Sequence, residues 1–250
     1  MLDLAAYLDR IGYKAPAPAN QETLKTLHRA HMLSVPFENL DIGLGRKIVC
    51  EESAFIEKIV NRRRGGFCYE LNGAFAALLR GLGFQVTLLS ARVPRDDGSH
   101  SPEFDHLALR VELDEPWLAD VGFGDSFVEP LRLQVDLEQP QDKRNFRIVD
   151  EGGFLHMEMA EGGKGWRRQY SFTLEPRKLE DFAPMCHYHQ TSPDSPFTRK
   201  KVCSLATPNG RVTLADGKLI ETRGGVREES ALDSEEQWRA ALQRHFGVVL

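Results

Sequence analysis

The sequence predicts an α+β protein whose chain divides into three stretches. Over residues 1–83, apolar side chains recur with the spacing of amphipathic helices. From Phe84 to about Leu174 the pattern changes to the period of two that is typical of strands, with glycine pairs between the runs. The remaining tail contains both patterns. We therefore expect a helical region, a β region and a mixed C-terminal region, in that order.

The helices are predicted from their caps and stops. Asp3 and Asn20 each precede an apolar-periodic run, and such side chains accept hydrogen bonds from the free N–H groups of a first helical turn. Glycine or proline follows most of the runs. The predicted helices lie between Asp3 and Gly12, between Asn20 and Pro36, over 53–63, from Cys68 to Gly81, over 176–190 as a connecting helix, and over 233–246.

The strands are predicted from alternating apolar residues, with turns at Gly152-Gly153 and Gly162-Gly163. In the tail, Asp216-Gly217 is a hairpin turn. The predicted strands cover 84–93, 105–113, 116–121, 145–149, 154–159 and 166–174, followed by strands around 200–206 and 211–222.

Composition excludes several classes of protein. The chain has 250 residues, 41% apolar and 28% charged, with a formal net charge of −5. It is long enough for a sizeable core, and it lacks the basic excess of a nucleic-acid-binding protein. No apolar run reaches the roughly 18 residues of a membrane span, and the N-terminus lacks a basic signal-peptide start. Four irregularly spaced cysteines indicate reduced thiols. We expect a cytoplasmic protein with no membrane or nucleic-acid partner.

The most informative residue is Cys68. Gly65 and Gly66 end one helical run, and the next begins at or just before this cysteine. The free N–H groups and the positive dipole end of a helix favour a thiolate, and such a placement together with a cationic partner can lower the pKa of Cys68. An acyl group that approaches the sulfur needs open space, which two glycines would provide. Cys50 and Cys203, by contrast, fit the usual role of cysteine as a small apolar filler.

Two polar residues downstream are candidate partners of Cys68. His106 lies in a predicted strand on the face opposite Leu107, and Asp120 ends the following short strand. A hairpin centred at residue 113 would place His106 and Asp120 nearly opposite each other. Asp120 could then orient the imidazole towards the thiol, as in a Cys-His-Asp triad. Asp125, a few residues further on, is interpreted as a turn residue of little consequence.

An ordered series of motifs resembles those of the arylamine N-acetyltransferase family. The nucleophile segment R-G-G-F-C-x-E-x-N is Arg64–Asn72, and it is preceded by P-F-E-N-L at Pro36–Leu40. The family's D-H-x-x-L is Asp105–Leu109, and D-V-G-F-G is Asp120–Gly124. Segments similar to the family's lid are Ser192–Phe197 and Gly210–Leu214.

This resemblance implies the layout and the activity. The layout is a helical bundle carrying the nucleophile (1–83), a β-barrel carrying the histidine and aspartate (84–175), and a connecting helix with an α/β lid (176–250), with a Cys-His-Asp arrangement like that of cysteine proteases. The activity is transfer of an acetyl group from acetyl-coenzyme A, a co-substrate rather than a tightly bound cofactor, to an arylamine or hydrazine through an acetyl-cysteine.

The resemblance also implies positions that contact the two substrates. The substrate-lining positions, each of which could equally be core, are Phe37, Tyr69, Val93, Phe123 and Phe197. The coenzyme positions are Gly124 and Ser126.

Other functions use the same three residues. A transglutaminase-like or papain-like hydrolase also needs Cys, His and Asp in this order, but not the P-F-E-N-L and D-V-G-F-G segments. An amide synthase on the same scaffold would act without coenzyme A. A catalytically silent binding module would show no fast-reacting thiol.

Residues 186–189, Cys-His-Tyr-His, place three potential metal ligands in four positions. Zinc sites usually combine two ligand pairs, and no second pair follows nearby. We expect no bound metal and interpret this segment as structural or lining.

Overall fold

The computed structural model describes residues 2–95 and 97–250. The helices begin where the sequence predicts: Asp3 Oδ1 accepts the N–H of Ala6 at 3.0 Å, and Asn20 Oδ1 accepts that of Thr23 at 2.9 Å. The run over 53–63 is a short helix continued by a π-helical turn, and the predicted connecting helix is a 3-10 turn followed by a helix. The helices are α1 (Leu4–Arg10), α2 (Gln21–Ser34), α3 (Leu40–Gly43), α4 (Glu52–Ile56), α5 (Cys68–Gly81), α6 (Ala183–Thr191), α7 (Pro196–Arg199) and α8 (Glu235–Phe246).

The strands form two antiparallel sheets over the described ranges. The larger has eight strands in the order β5-β4-β3-β2-β9-β8-β7-β6, and the smaller has five in the order β1-β10-β11-β12-β13. The strands are β1 (Phe37–Glu38), β2 (Gln85–Arg92), β3 (His106–Glu112), β4 (Pro116–Ala119), β5 (Leu131–Arg132), β6 (Gln139–Gln141), β7 (Arg144–Glu151), β8 (Phe154–Glu161), β9 (Arg167–Phe172), β10 (Val202–Thr207), β11 (Gly210–Ala215), β12 (Lys218–Arg223) and β13 (Val226–Ala231).

The eight-stranded sheet curls into a nearly closed barrel. Its edge strands β5 and β6 are linked by side chains: the amide of Gln139 exchanges hydrogen bonds with the backbone of Arg132 at 2.7 and 3.1 Å. Gln141 makes similar bonds to the backbone at Glu129. These glutamines cover an edge that would otherwise expose unpaired backbone groups.

The second sheet joins distant parts of the chain. β1, which follows α2, pairs with β10, so a strand from the helical region completes the C-terminal sheet. The sequence did not predict β1, β5, β6 or β13. The first three have two or three residues, too few to show a period, and β13 is exposed along its whole length.

Helix α5 is the centre of the molecule. Every residue from Cys68 to Leu79 is buried, and the helix packs against the barrel strands β2 and β3. A second core fills the barrel, and a third lies between α8 and the C-terminal sheet. In the described residues no helix is long and apolar enough to cross a membrane.

The hairpin that carries the candidate partners of Cys68 has a different register from the predicted one. Glu112 pairs with Pro116 and Leu109 with Ala119, so the turn is centred on residue 114 rather than 113. Asp120 is therefore level with Ala108, two residues from His106. Because a shift of two residues preserves the face of a strand, the two side chains still lie on the same side.

Candidate active site

The two glycines before Cys68 allow a close backbone approach. A Cβ atom at Gly65 would lie 1.9 Å from the carbonyl oxygen of Pro36. The N–H of Gly66 donates to that same carbonyl at 3.3 Å, and its own carbonyl accepts the N–H of Glu38 at 2.8 Å. The glycines are thus needed to pack this segment against β1. This corrects the interpretation that they leave open space at the sulfur.

A buried cluster of charges fixes the start of α5. Lys58 Nζ lies 2.8 Å from Glu70 Oε1 and 2.9 Å from Asp41 Oδ2, and Arg64 Nη2 lies 2.7 Å from Glu38 Oε1. The other oxygen of Glu70 accepts the N–H of Phe67, the residue just before the helix, at 3.1 Å. Burial raises the pKa of Glu70 to about 7, although Lys58 lowers it. The cluster gives Arg64 and Glu70 of the nucleophile segment a structural role in this chain.

Cys68 is the first residue of α5 and is 4% exposed. Its Sγ lies 4.0 Å from the carbonyl oxygen of Asp105, so the sulfur is beside the start of β3. Burial raises the pKa of the Cys68 thiol, a backbone hydrogen bond from Leu107 lowers it, and the carboxylates of Asp105 and Asp120 raise it again. The net effect is opposite to the lowering predicted from the helix start alone. A thiolate here requires a cation beside it.

His106 and Asp120 form a buried pair. His106 Nε2 lies 2.7 Å from Asp120 Oδ2, and both side chains are almost inaccessible. Asp120 Oδ1 accepts hydrogen bonds from Asn72 Nδ2 at 2.8 Å and from the N–H of Gly122 at 2.9 Å. Burial alone would raise the pKa of Asp120, but His106 and these donors hold it below its usual value. Asp120 is therefore an ionised carboxylate that can stabilise a protonated His106.

Asn72 and Gly122 join this pair to the nucleophile helix. Asn72, one turn after Cys68, also donates to the carbonyl of Leu107 at 2.6 Å and accepts the N–H of Val121 at 2.9 Å. A Cβ at Gly122 would lie 2.8 Å from Cys68 Cα. The structure thus brings the three predicted catalytic residues to one place. Asp120 holds Nε2 of His106, so Nδ1 is the ring nitrogen that is not bound to the carboxylate.

The predicted lining residues fall into separate groups. Phe123 contacts the His106 ring, with centroids 5.1 Å apart, and Val93 packs on the same barrel core. Phe37 and Phe197 contact each other at 6.2 Å on the side of the C-terminal sheet. Tyr69 is fully buried, and its hydroxyl donates to the carbonyl of Phe104 at 2.7 Å, which indicates a packing role.

Sequence reasoning missed one aromatic residue beside His106. The ring of Tyr170, in β9, lies 5.1 Å from those of His106 and Phe123. The alternation along β9 could have placed this residue inside the barrel, but nothing in the sequence relates β9 to β3.

A cleft of about 670 Å³ opens between the barrel and the C-terminal sheet, and Asp125 is part of its lining. Ser126 lines it, and its buried hydroxyl has no hydrogen-bond partner among the described residues. The cationic residues of the cleft are Arg29, Lys143, Arg144, Arg211 and Arg227, and the acidic ones are Asp125, Glu129, Asp142 and Glu161.

Asp125 holds the two sides of this cleft together. Its carboxylate accepts from Arg144 of β7 at 2.7 and 3.1 Å and from Arg211 Nε of β11 at 3.0 Å. Arg211 also donates to the carbonyl of Gly124 at 2.7 Å. These contacts are more than the sequence suggested for Asp125, which was interpreted as a turn residue whose removal should matter little. It bridges the barrel and the C-terminal sheet.

The segment of potential metal ligands forms part of α6. Cys186 and His189 are buried in it, whereas His187 is exposed. In residues 2–95 and 97–250, no three or more His, Cys, Asp or Glu side chains are grouped to hold a metal ion.

A buried cysteine at a helix start, beside a histidine held by an aspartate, is the arrangement of enzymes that form an acyl-cysteine. The family model described as N-acetyltransferase matches residues 20–250. Human arylamine N-acetyltransferase 1 is 35% identical, covering 100% of this chain and 95% of its own length. The structure of arylamine N-acetyltransferase from Salmonella typhimurium superposes with a TM-score of 0.93 at 33% identity, covering 98% of this chain and 90% of that one. The structure of Mycobacterium marinum arylamine N-acetyltransferase in complex with CoA superposes with a TM-score of 0.91 at 31% identity, covering 98% of this chain and 93% of that one.

The chain belongs to the arylamine N-acetyltransferase family, and the resemblance inferred from the sequence is confirmed. It is an acyltransferase with the α+β fold of that family.

Proposed function

We propose that this enzyme transfers an acetyl group from acetyl-coenzyme A to the nitrogen of an arylamine or arylhydrazine, through an acetyl-Cys68 intermediate. The observation that carries the proposal is the buried group of Cys68, His106 and Asp120 at the start of α5, with His106 Nε2 held 2.7 Å from Asp120. The solved structure of the Mycobacterium marinum relative in complex with CoA supports the identity of the donor.

The first half of the reaction acetylates Cys68. The thiol proton passes to His106 Nδ1, and the resulting imidazolium is stabilised by the Asp120 carboxylate. The thiolate attacks the thioester carbonyl, and the carbon–sulfur bond to coenzyme A breaks. The departing coenzyme A thiolate takes the proton from His106. The products are acetyl-Cys68 and free coenzyme A.

The second half releases the product. The amine nitrogen attacks the acetyl carbon of acetyl-Cys68, and His106 removes a proton from the nitrogen as a general base. Cys68 leaves as thiolate and recovers that proton from His106. An arylamine is uncharged near neutral pH, so an apolar slot suits it. Phe123 lies beside His106 and is our leading candidate to line this slot, with Val93 behind it and with Phe37 and Phe197 on the opposite side.

Coenzyme A is proposed to bind in the cleft between the barrel and the C-terminal sheet. The segment from Gly122 to Ser126 begins against Cys68 and ends in the cleft, so a thioester arm that follows it would reach the sulfur. The unpartnered hydroxyl of Ser126, the backbone at Gly124 and the cationic side chains around them supply donors and charge for an anionic ligand.

We further propose that residues 1–83, 84–175 and 176–250 act as three domains, with β1 as the exception that pairs across the boundary. The four cysteines are free thiols, which supports a cytoplasmic location.

Mass spectrometry of the intact protein and its peptides tests the proposed function. Acetyl-coenzyme A alone should add one acetyl group to Cys68, and an aminobenzoate should remove it. Cys68→Ser should fold and show no turnover, because an ordinary hydroxyl is a far weaker nucleophile than a paired thiol. Cys203→Ser is the matched control, since Cys203 is buried in another core.

Two results would redirect the assignment. Acetylation of Cys50, Cys186 or Cys203 instead of Cys68 would exclude the proposed nucleophile. Rapid loss of the acetyl group to water without an amine would indicate a thiol hydrolase.

A further inference from the structure

His28 is a histidine of α2 that has no part in the mechanism above. Its side chain is fully buried, and its ring contacts those of Phe127 and Phe75, with centroids 5.6 and 5.9 Å away. The Phe127 ring is stacked on it, with 21° between the planes, and the Phe75 ring meets it edge-on. Because Phe127 belongs to the segment that follows β4, this histidine packs on the loop that begins at Asp120.

Both ring nitrogens of His28 bind the backbone of that loop. Nε2 accepts the N–H of Asp120 at 3.1 Å, and Nδ1 lies 2.8 Å from the carbonyl oxygen of Val128. A backbone N–H can only donate and a carbonyl can only accept, so the role of each nitrogen is fixed. Nδ1 therefore carries the ring hydrogen, and Nε2 carries none. Burial lowers the pKa of His28 to about 4, which agrees with this neutral form.

The loop 120–128 carries several residues of the proposed site. Its first residue holds His106 at 2.7 Å, and a Cβ at Gly122 would lie 2.8 Å from the Cα atom of the nucleophile. Residues 125–128 line the cleft proposed for coenzyme A. A histidine that bonds to both ends of this loop is therefore placed to influence the chemistry without touching a reacting atom.

Each end of the loop has a further hydrogen bond to another side chain. Asn72 of α5 accepts the N–H of Val121 at 2.9 Å, and Gln141 of β6 accepts the N–H of Val128 at 3.0 Å. Of these three side chains, His28 is the one that binds both ends. It thereby links the start of the loop, its end and helix α2.

We propose that His28 is a positioning residue for the acetylation of Cys68: its two hydrogen bonds fix the loop that carries Asp120. The proposal rests on the proposed acetyl transfer through Cys68. A displacement of about 1 Å near a reacting group can slow a reaction about a hundredfold. Loss of the two hydrogen bonds should therefore slow acetylation, although every group that reacts is still present.

Two substitutions separate the hydrogen bonds from the packing of the ring. His28→Gln keeps one acceptor and one donor but loses the ring, whereas His28→Phe keeps the ring and loses both hydrogen bonds. Single-turnover acetylation of Cys68 is measured at saturating acetyl-coenzyme A, below the unfolding temperature of each variant. His28→Gln should stay within a few-fold of the wild type, and His28→Phe should be slowed by about a hundredfold. A role in core packing alone would give the reverse order.

His31→Phe is the matched control. His31 is also a fully buried histidine of α2, and its ring contacts that of Phe75 at 5.3 Å, but its Nε2 lies 3.1 Å from the hydroxyl of Tyr7. This variant should be acetylated at the wild-type rate, even where its unfolding temperature is lower.

Three results would overturn the proposal. Equal rates in His28→Gln and His28→Phe, or a slower His28→Gln, would mean that the hydrogen bonds do not position the loop. An equally slow His31→Phe would assign the effect to a general disturbance of α2. A wild-type enzyme that is not acetylated at all would instead overturn the proposed function, and this proposal with it.

Nitrogen-15 NMR of the wild-type enzyme tests the hydrogen bonds without relying on how a variant folds. At pH 7 the His28 ring, assigned by the loss of its resonances in His28→Gln, should show a protonated Nδ1 and an unprotonated Nε2. The Nε2 nucleus should be coupled across the hydrogen bond to the amide nitrogen of Asp120. A protonated Nε2, or the absence of this coupling, would contradict the proposal.

Discussion

Two aspartates five residues apart do different work in this enzyme. Asp120 is fully buried, and its oxygens bond to His106, Asn72 and the backbone at Gly122. Asp125 is half exposed and bonds to arginines from two different sheets. Because Asp120 is removed from water, its contacts are strong and their loss is costly. The contacts of Asp125 are screened by solvent. The interior around Cys68 should therefore control the chemistry, and the cleft around Asp125 should control donor binding.

The largest effect is expected at Asp120. Asp120→Asn keeps the size of the side chain but removes the charge that stabilises a protonated His106, so acetylation of Cys68 should slow by about a thousandfold or more. Asp120→Ala should in addition lower the free energy of unfolding by about 3 kcal/mol, because it leaves His106 and Asn72 without their buried partner. Single-turnover acetylation and thermal unfolding measure the two effects. Normal acetylation in Asp120→Asn would remove Asp120 from the mechanism.

A second prediction concerns the buried cluster of charges at the start of α5 and uses the pH dependence of stability. The pKa of Glu70 is raised from 4.5 to about 7, so between these values the folded state binds more protons at Glu70 than the unfolded state does. Its contribution to stability is present below pH 4.5 and is lost as pH rises towards 7. Glu70→Gln, which keeps the bond to the N–H of Phe67, should remove this loss.

His28 provides the opposing contribution in the same pH window. Burial lowers its pKa from 6.5 to about 4, so its contribution to stability is present above pH 6.5 and is lost as pH falls towards 4. Only the difference between the wild type and Glu70→Gln therefore isolates Glu70. Parallel stability curves from pH 4.5 to 7 would show that Glu70 does not titrate as its burial implies.

The third prediction concerns the other aspartate. Asp125→Asn loses its ion pairs to Arg144 and Arg211, so the KM for acetyl-coenzyme A should rise several-fold while Cys68 acetylation at saturating donor stays near wild type. Because the Asp125 side chain is half exposed and its charge is screened by solvent, the loss of stability should be about 1 kcal/mol or less. Steady-state kinetics with varied donor separates KM from kcat. If Asp125→Asn abolished acetylation even at saturating donor, Asp125 would take part in the chemistry at Cys68. The division of roles between the two aspartates would then be wrong.

The two aspartates also show how far the sequence predicts this structure. Helix starts at Asp3, Asn20 and Cys68 follow from local capping and periodicity, and the period of two places the long strands. The contacts that give Asp125 its role come from Arg144 and Arg211, which are 19 and 86 residues away along the chain. No local pattern encodes such pairings, which depend on how two sheets face each other.

The same limit applies at the active site. The spacing of His106 and Asp120 was sufficient to predict their pairing, although the turn lies one residue later than predicted. Burial raises the pKa of Cys68 and so opposes the effect of the helix start, and the sequence does not show this because the depth of a residue depends on everything packed over it.

The smallest expected effect is at Ser126, where one substitution should favour stability but weaken donor binding. A buried hydroxyl without a partner destabilises the free enzyme, so Ser126→Ala should leave the stability unchanged or raise it by about 1 kcal/mol. If that hydroxyl bonds to coenzyme A in the cleft, the same variant should raise the KM for acetyl-coenzyme A a few-fold. Ser171→Ala is the matched control: Ser171 is equally buried, but its Oγ is bonded to His156 Nδ1 at 2.7 Å. That variant should lose stability and bind the donor normally. If the two serine variants had the same thermal stability and the same KM for acetyl-coenzyme A, coenzyme A would not bind at Ser126. The cleft would then not be the proposed donor site.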